Sequence, residues 1–285
     1  MSSNPHVRVT FVGAGPGQAD LITLRGAQRL QAADVVLFDS LADPELRALA
    51  PDARWIDVGK RGFAGVPHAP RGGRENTGQD TINALLVKHA QSGAQVVRLK
   101  GGDPSVFGRL EEELEALAEA GIDSEVVPGV TAALAAAATT KRPLTRRGTG
   151  RSVALTTAMT KTGELTAGRH ADTESFYMAG KQLAALSRRL LDAGWPRDTP
   201  VIVVSRAGWP DEIATEHVVA TLGDATVLHS GRPTVVTVGV GAAPIGAARE
   251  PAATRRANER ANASVGTAPA AVPSNAHARA GTSTP

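Results

Sequence analysis

Apolar runs of strand length alternate along the chain with stretches whose apolar positions recur at helical spacing. Residues 7–14, "VRVTFVGA", read as a buried strand that "GPG" breaks. "DLITLRGAQRLQAAD" then predicts a helix, with Asp20 as its N-cap and Leu21, Leu24, Ala27 and Leu30 on one face. "VVLFD" (35–39) and "WIDVG" (55–59) are further strands, and residues 62–77, rich in Gly, Pro and Arg, read as a loop. "QDTINALLVKHAQSG" is a helix closed by Gly93, "AQVVRLK" a strand, and "RLEEELEALAEAG" a helix closed by Gly121. "SEVVPG" is a short strand and "VTAALAAAATT" a helix of small residues. Strands alternating with helices predict a parallel α/β sheet.

A second unit opens near residue 150. "RSVALTTA", "ESFYMAG", "PVIVVSRAG" and "PTVVTVGVG" read as strands, "KQLAALSRRLLDAG" as a helix, and "TEHVVATLGD" as an antiparallel edge. The boundary falls in "RPLTRRGTGR", 142–151. This divides the chain into an N-terminal α/β domain, 1–145, a C-terminal α/β domain, 146–242, and a tail, 243–285. The tail loses apolar periodicity and is dominated by Ala, Pro, Arg, Ser, Thr and Gly, the composition of a disordered segment.

Composition narrows the function classes. The chain has 285 residues, 42% hydrophobic and 21% charged, enough for a substantial core. Its formal charge is +3, which alone points toward nucleic acid. Yet Arg249, Arg255, Arg256, Arg260 and Arg279 against Glu250 and Glu259 give the tail a net +3 by themselves, so the body is near neutral. With aromatics at 3% and no basic stripe interleaved with them, a nucleic-acid partner is not expected. There is no cysteine, which removes disulfides, thiol catalysis and most structural zinc sites. The N-terminal residues lack a signal pattern, and no apolar run approaches the roughly 20 residues of a membrane span. The expectation is a soluble cytoplasmic protein with no membrane partner.

Two glycine turns carry the candidate chemistry. "GAGPG" (13–17) resembles a dinucleotide-binding turn but misses the G-x-G-x-x-G spacing at Gln18, although Asp39 ends the second strand where such a fingerprint has its acid. A tight strand-to-helix turn accounts for the same residues. "LKGGDP" repeats the logic on another strand: Gly101 and Gly102 expose backbone amides, Asp103 can accept hydrogen bonds, and Pro104 fixes the exit. A plain turn needs one glycine, not two beside an acid. Both turns lie at strand carboxyl ends, where ligands of open α/β sheets sit.

"VTFVGAGPGQADLITLRGAQRLQAADVVLFDSL", "VGKR", "VVRLKGGDPSVFGR", "EVVPGVTAALAAAA" and "PLTRR" together resemble, in order and spacing, the uroporphyrinogen-III C-methyltransferases of the tetrapyrrole methylase superfamily, over about residues 7–241. The resemblance implies a two-domain tetrapyrrole methylase fold unlike the usual Rossmann-like methyltransferase fold. S-adenosylmethionine (SAM) would be bound between the domains of a homodimer, with no metal. It implies donor contacts at Pro16, Gly101, Gly102, Asp103, Val106, Thr131, Ala132, Met178 and Ala207, the last standing where the family often has glycine. It implies Asp39 as proton acceptor and Lys60 as proton donor. Each has a structural alternative: Asp39 as a turn cap, Met178 as core, Lys60 as a solvated strand-end charge.

The implied reaction places two methyl groups on carbons 2 and 7 of uroporphyrinogen III, through precorrin-1 to precorrin-2, in sirohaem or cobalamin biosynthesis. The acceptor carries eight carboxylates, which arginine suits. Arg61, Arg109, Arg146, Arg147 and Arg151, with Lys60, lie in motif loops and are the candidates. The sequence departs from the family at Leu110-Glu111, at Arg146-Arg147-Gly148, in the loop after "VGKR", where His68 and Gln79 meet the family spacing only loosely, and at Ala158. These departures leave two alternatives: a later-step precorrin methyltransferase, or a SAM-binding protein without turnover.

Overall fold

The computed structural model describes residues 8–59, 78–158, 165 and 167–246. Strands β1 (Val9–Gly13) and β4 (Val96–Lys100) are buried along their whole length, β1 as a nearly unbroken run without charge and β4 with Arg98 and Lys100 buried beside its apolar positions. With β2 (Val35–Phe38), β3 (Arg54–Asp57) and β5 (Ser124–Val127) they form a parallel sheet ordered β3-β2-β4-β1-β5. One face packs Phe11, Leu37 and Val96 against Ile82 and Leu86 of α2 (Gln79–Gln91) and Leu117 of α3 (Leu110–Glu119). The other packs Val12, Val36 and Leu99 against Leu30 of α1 (Leu24–Gln31). Each of these fully buried side chains contributes about 1.5–3 kcal/mol.

The strand order places the site. From β1 the chain runs to β2 on one side of the sheet, and from β4 it crosses to β5 on the other. Each connection passes over the other's strand, α1 on one face and α3 on the opposite one, and the carboxyl ends of such a neighbouring pair are where ligands of open α/β sheets sit.

The helices α2 and α3 close where expected, at Gly93 (φ +90°) and Gly121 (φ +65°). The first helix does not start where expected. Asp20 lies in a single 3-10 turn, Ala19–Leu21, and α1 begins at Leu24 with Thr23 as its cap. The Thr23 hydroxyl accepts from Gly26 N at 3.1 Å, satisfying an amide that Asp20 stands too early to reach. Leu24 is 85% exposed, so it falls off the apolar stripe.

The second sheet contains β6 (Val153–Thr157), β7 (Thr173–Tyr177), β8 (Pro200–Ser205), β9 (Ile213–Val218) and β10 (Thr234–Gly239) in the order β6-β7-β10-β8-β9. Only the β6–β7 pairing is parallel, and β9 is an antiparallel edge as expected, but of "TEHVVATLGD" it takes only Thr215–Val218, since Val219–Ala225 turn into a 3-10 helix. One face buries Phe176, Val203 and Val236 under Leu183, Leu186 and Leu190 of α5 (Leu183–Asp192). On the other, Ala135 and Ala136 of α4 (Ala132–Thr139) meet Ile202, Val204, Ala207 and Ala242. Alanine favours the helix and lets its backbone come close to the sheet. A helix that follows the first sheet therefore roofs the second.

Described residues up to Ala243 form one compact unit, and Pro244 onward is assigned to another. The expected tail lies, from residue 247, outside the described residues, as does the expected loop at 62–77. Among the described residues no helix is long and apolar enough to cross a membrane.

Candidate active site

The two glycine turns meet. Gly102 N donates to the Gly15 carbonyl at 2.7 Å and Gly15 N to the Gly102 carbonyl at 3.3 Å, an isolated antiparallel bridge just past two parallel strands. The glycine doublet divides its work. A Cβ on Gly101 would lie 2.6 Å from Leu41 Cβ, so that glycine permits packing. Gly102 has φ +70°, and a Cβ there would meet nothing closer than Thr131 Cα at 3.8 Å. Its α-carbon thus faces the backbone at the start of α4 at ordinary contact distance, so that the two turns and that helix start form a cradle of backbone.

Two acids hold the cradle. Asp39 accepts from Gly101 N through Oδ2 at 3.1 Å and from Leu41 N through Oδ1 at 3.0 Å. Asp103 accepts from Ser105 N at 2.8 Å and from Gly129 N at 2.9 Å. Each carboxylate oxygen keeps a lone pair for a ligand, but both acids brace loops first. The turn-cap alternative for Asp39 is therefore present in the geometry, alongside a position at the carboxyl edge of β2.

The second half comes up against the first of these turns. Gln18 N donates to the Gly208 carbonyl at 3.0 Å, and a Cβ on Gly17 would lie 2.2 Å from that same oxygen. Pro16 and the "SRAG" turn are thereby neighbours, with Pro16 Cγ 3.6 Å from where a Gly208 Cβ would lie. Ala207 is buried against α4. Met178 is 38% exposed with φ +59°, which is not a core methionine. Phe107, Arg109, Met178 and Arg206 all have left-handed backbones. Strain of this kind collects where surrounding structure holds a site in shape. Val106, half-buried, donates its amide to the Asp103 carbonyl at 3.2 Å. Thr131 is the N-cap residue of α4, directly before Ala132.

Several residues of this site escaped the sequence reading. Tyr177 ends β7 and reaches across to the first half, its hydroxyl 2.8 Å from Thr131 Oγ1 and accepting from Ala133 N at 3.2 Å. Its ring lies 5.1 Å from that of Phe107, which is 42% exposed. Burial pushes the phenol above its ordinary value. Beneath the Gly101–Arg109 loop, buried Glu113 pairs with Arg98 at 2.9 Å and with Lys100, joining β4 to α3. Burial and Arg98 hold the Lys100 amine below its usual value, against the pull of Glu113. Beneath the "SRAG" turn, fully buried His229 lies 2.5 Å from Ser205 Oγ through Nδ1 and 2.8 Å from Thr215 Oγ1 through Nε2. The available signal was the run "FYMAG", in which the tyrosine adjoins the expected methionine.

The acceptor-side candidates are more dispersed. Lys60 and Arg61 lie outside the described residues. Arg109 forms an ion pair with Glu112, Nε to Oε1 at 2.7 Å, on the exposed first turn of α3 that Leu110 opens. Arg146 donates to the Ala243 carbonyl, committing that nitrogen to the chain's own backbone. Arg147 and Arg151 are exposed, and Arg151 N donates to Asp172 Oδ2 at 2.8 Å.

Residues 8–226 match the profile of the Tetrapyrrole (Corrin/Porphyrin) Methylases. Over 204 residues the chain is 44% identical to a uroporphyrinogen-III C-methyltransferase of Pseudomonas aeruginosa, covering 70% of this chain and 79% of that protein. It is 40% identical over 237 residues to a siroheme synthase of Escherichia coli O1:K1 / APEC, covering 81% of this chain and 49% of that protein, so it spans about half the length of such relatives. Among solved structures, a cobalt precorrin-4 methyltransferase superposes with a TM-score of 0.71 at 30% identity, over 86% of this chain and 99% of that one. The uroporphyrin-III C-methyltransferase of Thermus thermophilus, complexed with S-adenosyl homocysteine, superposes with a TM-score of 0.69 at 34% identity, over 82% of this chain and 98% of that one. Two sheets with glycine turns converging between them define a two-domain α/β methylase. The chain belongs to the tetrapyrrole methylase family.

Proposed function

We propose that the chain is a SAM-dependent uroporphyrinogen-III C-methyltransferase that forms precorrin-2 through precorrin-1. The observation that carries this reading is the meeting of the two glycine turns at Gly15 and Gly102 beside the start of α4, with the "SRAG" turn of the second half against Gly17, where the methyl donor is expected. The 44% identity to the Pseudomonas aeruginosa enzyme supports uroporphyrinogen III as the acceptor.

In this reading Pro16, Gly101, Gly102, Asp103, Val106, Thr131, Ala132, Met178 and Ala207 hold SAM. SAM supplies a methyl on a sulfonium, already a good leaving group, so the reaction requires no metal to activate it. The chain's task is to orient an electron-rich ring carbon in line with that methyl and to manage the ring proton. Asp39 takes the proton at a carboxylate oxygen, using the lone pair its backbone bonds leave, and Lys60 returns one. Arg61, Arg109, Arg146, Arg147 and Arg151 meet the acceptor carboxylates, with Arg109 exchanging or sharing its bond to Glu112. We extend the family resemblance to a cytoplasmic homodimer.

A second reading has an observation in its favour: the cobalt precorrin-4 methyltransferase superposes as well as the uroporphyrin-III enzyme does. Initial rates with uroporphyrinogen III and with cobalt precorrin-4, at equal SAM, separate the two. Faster methylation of uroporphyrinogen III supports the proposal. Faster methylation of cobalt precorrin-4 transfers the chain to a later step, and SAM binding with neither acceptor methylated makes it a binding protein.

A further inference from the structure

The one link between the halves made by a side-chain hydroxyl at the start of α4 is in place among the described residues before any ligand is considered. Ala133 N donates to the Tyr177 hydroxyl at 3.2 Å, occupying one oxygen lone pair. The Tyr177 hydroxyl also lies 2.8 Å from Thr131 Oγ1, within hydrogen-bond reach. Thr131 makes no bond to an amide of its own helix, although it stands in the N-cap position where threonine usually does. Thr131 thus spends its hydroxyl on Tyr177 rather than on its own helix, in a bond that either oxygen can donate. Its α-carbon lies opposite Gly102, 3.8 Å from where a Cβ on that glycine would lie.

From this geometry we infer that Tyr177 is a positioning residue of the donor site, which orders the first turn of α4 and holds the Thr131 hydroxyl in place for SAM. The inference rests on the SAM site proposed above. It gives that site a part contributed by β7 and acting through the first half. Tyr177 also adjoins Met178, whose left-handed backbone turns the chain out of β7. One residue thereby ties the second-half turn of the site to the helix start opposite, while Phe107 packs on its ring.

The test uses Tyr177→Phe, which keeps the ring and its packing on Phe107 and removes only the hydroxyl. We expect calorimetric affinity for S-adenosylhomocysteine to fall about 5- to 10-fold, as one lost hydrogen bond implies. KM for SAM should rise by a similar factor with kcat largely retained. On a Thr131→Val background the same change should cost less affinity than in the wild type, because only the bond from Ala133 N is left to lose. Tyr177 is the only tyrosine in the chain, so wild-type protein labelled at tyrosine Cζ gives a single resonance. That resonance should shift on addition of S-adenosylhomocysteine along the calorimetric binding curve, even if the variants prove unstable. Unchanged affinity in Tyr177→Phe, additive losses in the double variant, or a resonance indifferent to bound ligand would each overturn the inference. Wild-type protein that fails to bind S-adenosylhomocysteine at all overturns the SAM site itself, a different result.

Discussion

Gly15 and Gly102 bond each other twice, across the ends of two strands that run parallel. The bridge brings the turns after β1 and β4 together at the point where the connections from these neighbouring strands leave on opposite faces of the sheet. Only residues without a Cβ allow this: Gly15 has φ +82° and Gly102 φ +70°. The cradle proposed for the donor is thus made of backbone, with Asp39 and Asp103 accepting from the amides of its loops.

The approach of the two halves is equally dependent on glycine. We expect Gly17→Ala to destabilise the protein by about 1–3 kcal/mol, the usual cost of overpacking, and to weaken S-adenosylhomocysteine binding. The contact it meets is Gly208 backbone, which no rotamer change relieves. Gly223→Ala, whose Cβ would find ordinary contacts at 3.4 Å, serves as the control and should change little. Denaturant unfolding and calorimetry on both variants check this.

Asp103 holds two loop amides and, in the proposed function, the donor. Asp103→Ala should cost about 1.5–3 kcal/mol of S-adenosylhomocysteine binding, the value of a hydrogen bond to a charged group. It should also lower the unfolding midpoint, because Ser105 N and Gly129 N lose their acceptor. A fallen midpoint with unchanged affinity would confine Asp103 to bracing.

For Asp39 the proposed proton transfer and the observed bracing make separable demands. Asp39→Asn should lower turnover by about 10²–10⁴-fold if the carboxylate takes the proton. Asparagine can accept only one of the two bonds from Gly101 N and Leu41 N, so a smaller loss of stability accompanies it. Turnover, donor affinity and unfolding midpoint on the same variant are the readouts, and near wild-type turnover would remove Asp39 from the chemistry.

His229 predicts a pH dependence of stability. Burial, then the nearby His217 and Arg232, push its imidazole down to about 4. Ser205, Thr215 and Thr234 complete its surroundings through hydroxyl bonds. In the unfolded chain a histidine titrates near 6.5, so between about pH 6.5 and 4 the unfolded state binds a proton that the folded state refuses. Stability is complete above that window and falls as pH drops through it, by about 2 kcal/mol between pH 7 and 5. His229→Gln should remove most of that slope. Equal slopes in variant and wild type would show that His229 is not its source.

How much of this was legible in the sequence follows from the range of the interactions. The turn "LKGGDP" and the strand "VTFVG" were readable because glycine, proline and apolar runs act within a few residues. The start of α1 was misread because Asp20 and Thr23 are both capping residues, and only the backbone path shows that the helix waits for Thr23. The mixed character of the second sheet was legible at its β9 edge and not in its interior, where antiparallel and parallel strands have similar apolar runs. Tyr177 was invisible in its role because its partner Thr131 stands 46 residues earlier in the chain. Arg98, Lys100 and Glu113 read as ordinary charges, since nothing local reveals that a β4 face and an α3 face bury them together.

The central claim is tested most directly by the number and place of methyl groups transferred. Purified protein is incubated anaerobically with uroporphyrinogen III and SAM labelled with ¹³C at the methyl, and the tetrapyrrole is read by mass and by carbon NMR. The account predicts two labelled methyl groups per macrocycle, on ring carbons 2 and 7, with a singly methylated species appearing first. S-adenosylhomocysteine binding without any label on the macrocycle, or label at any other carbon, would contradict it.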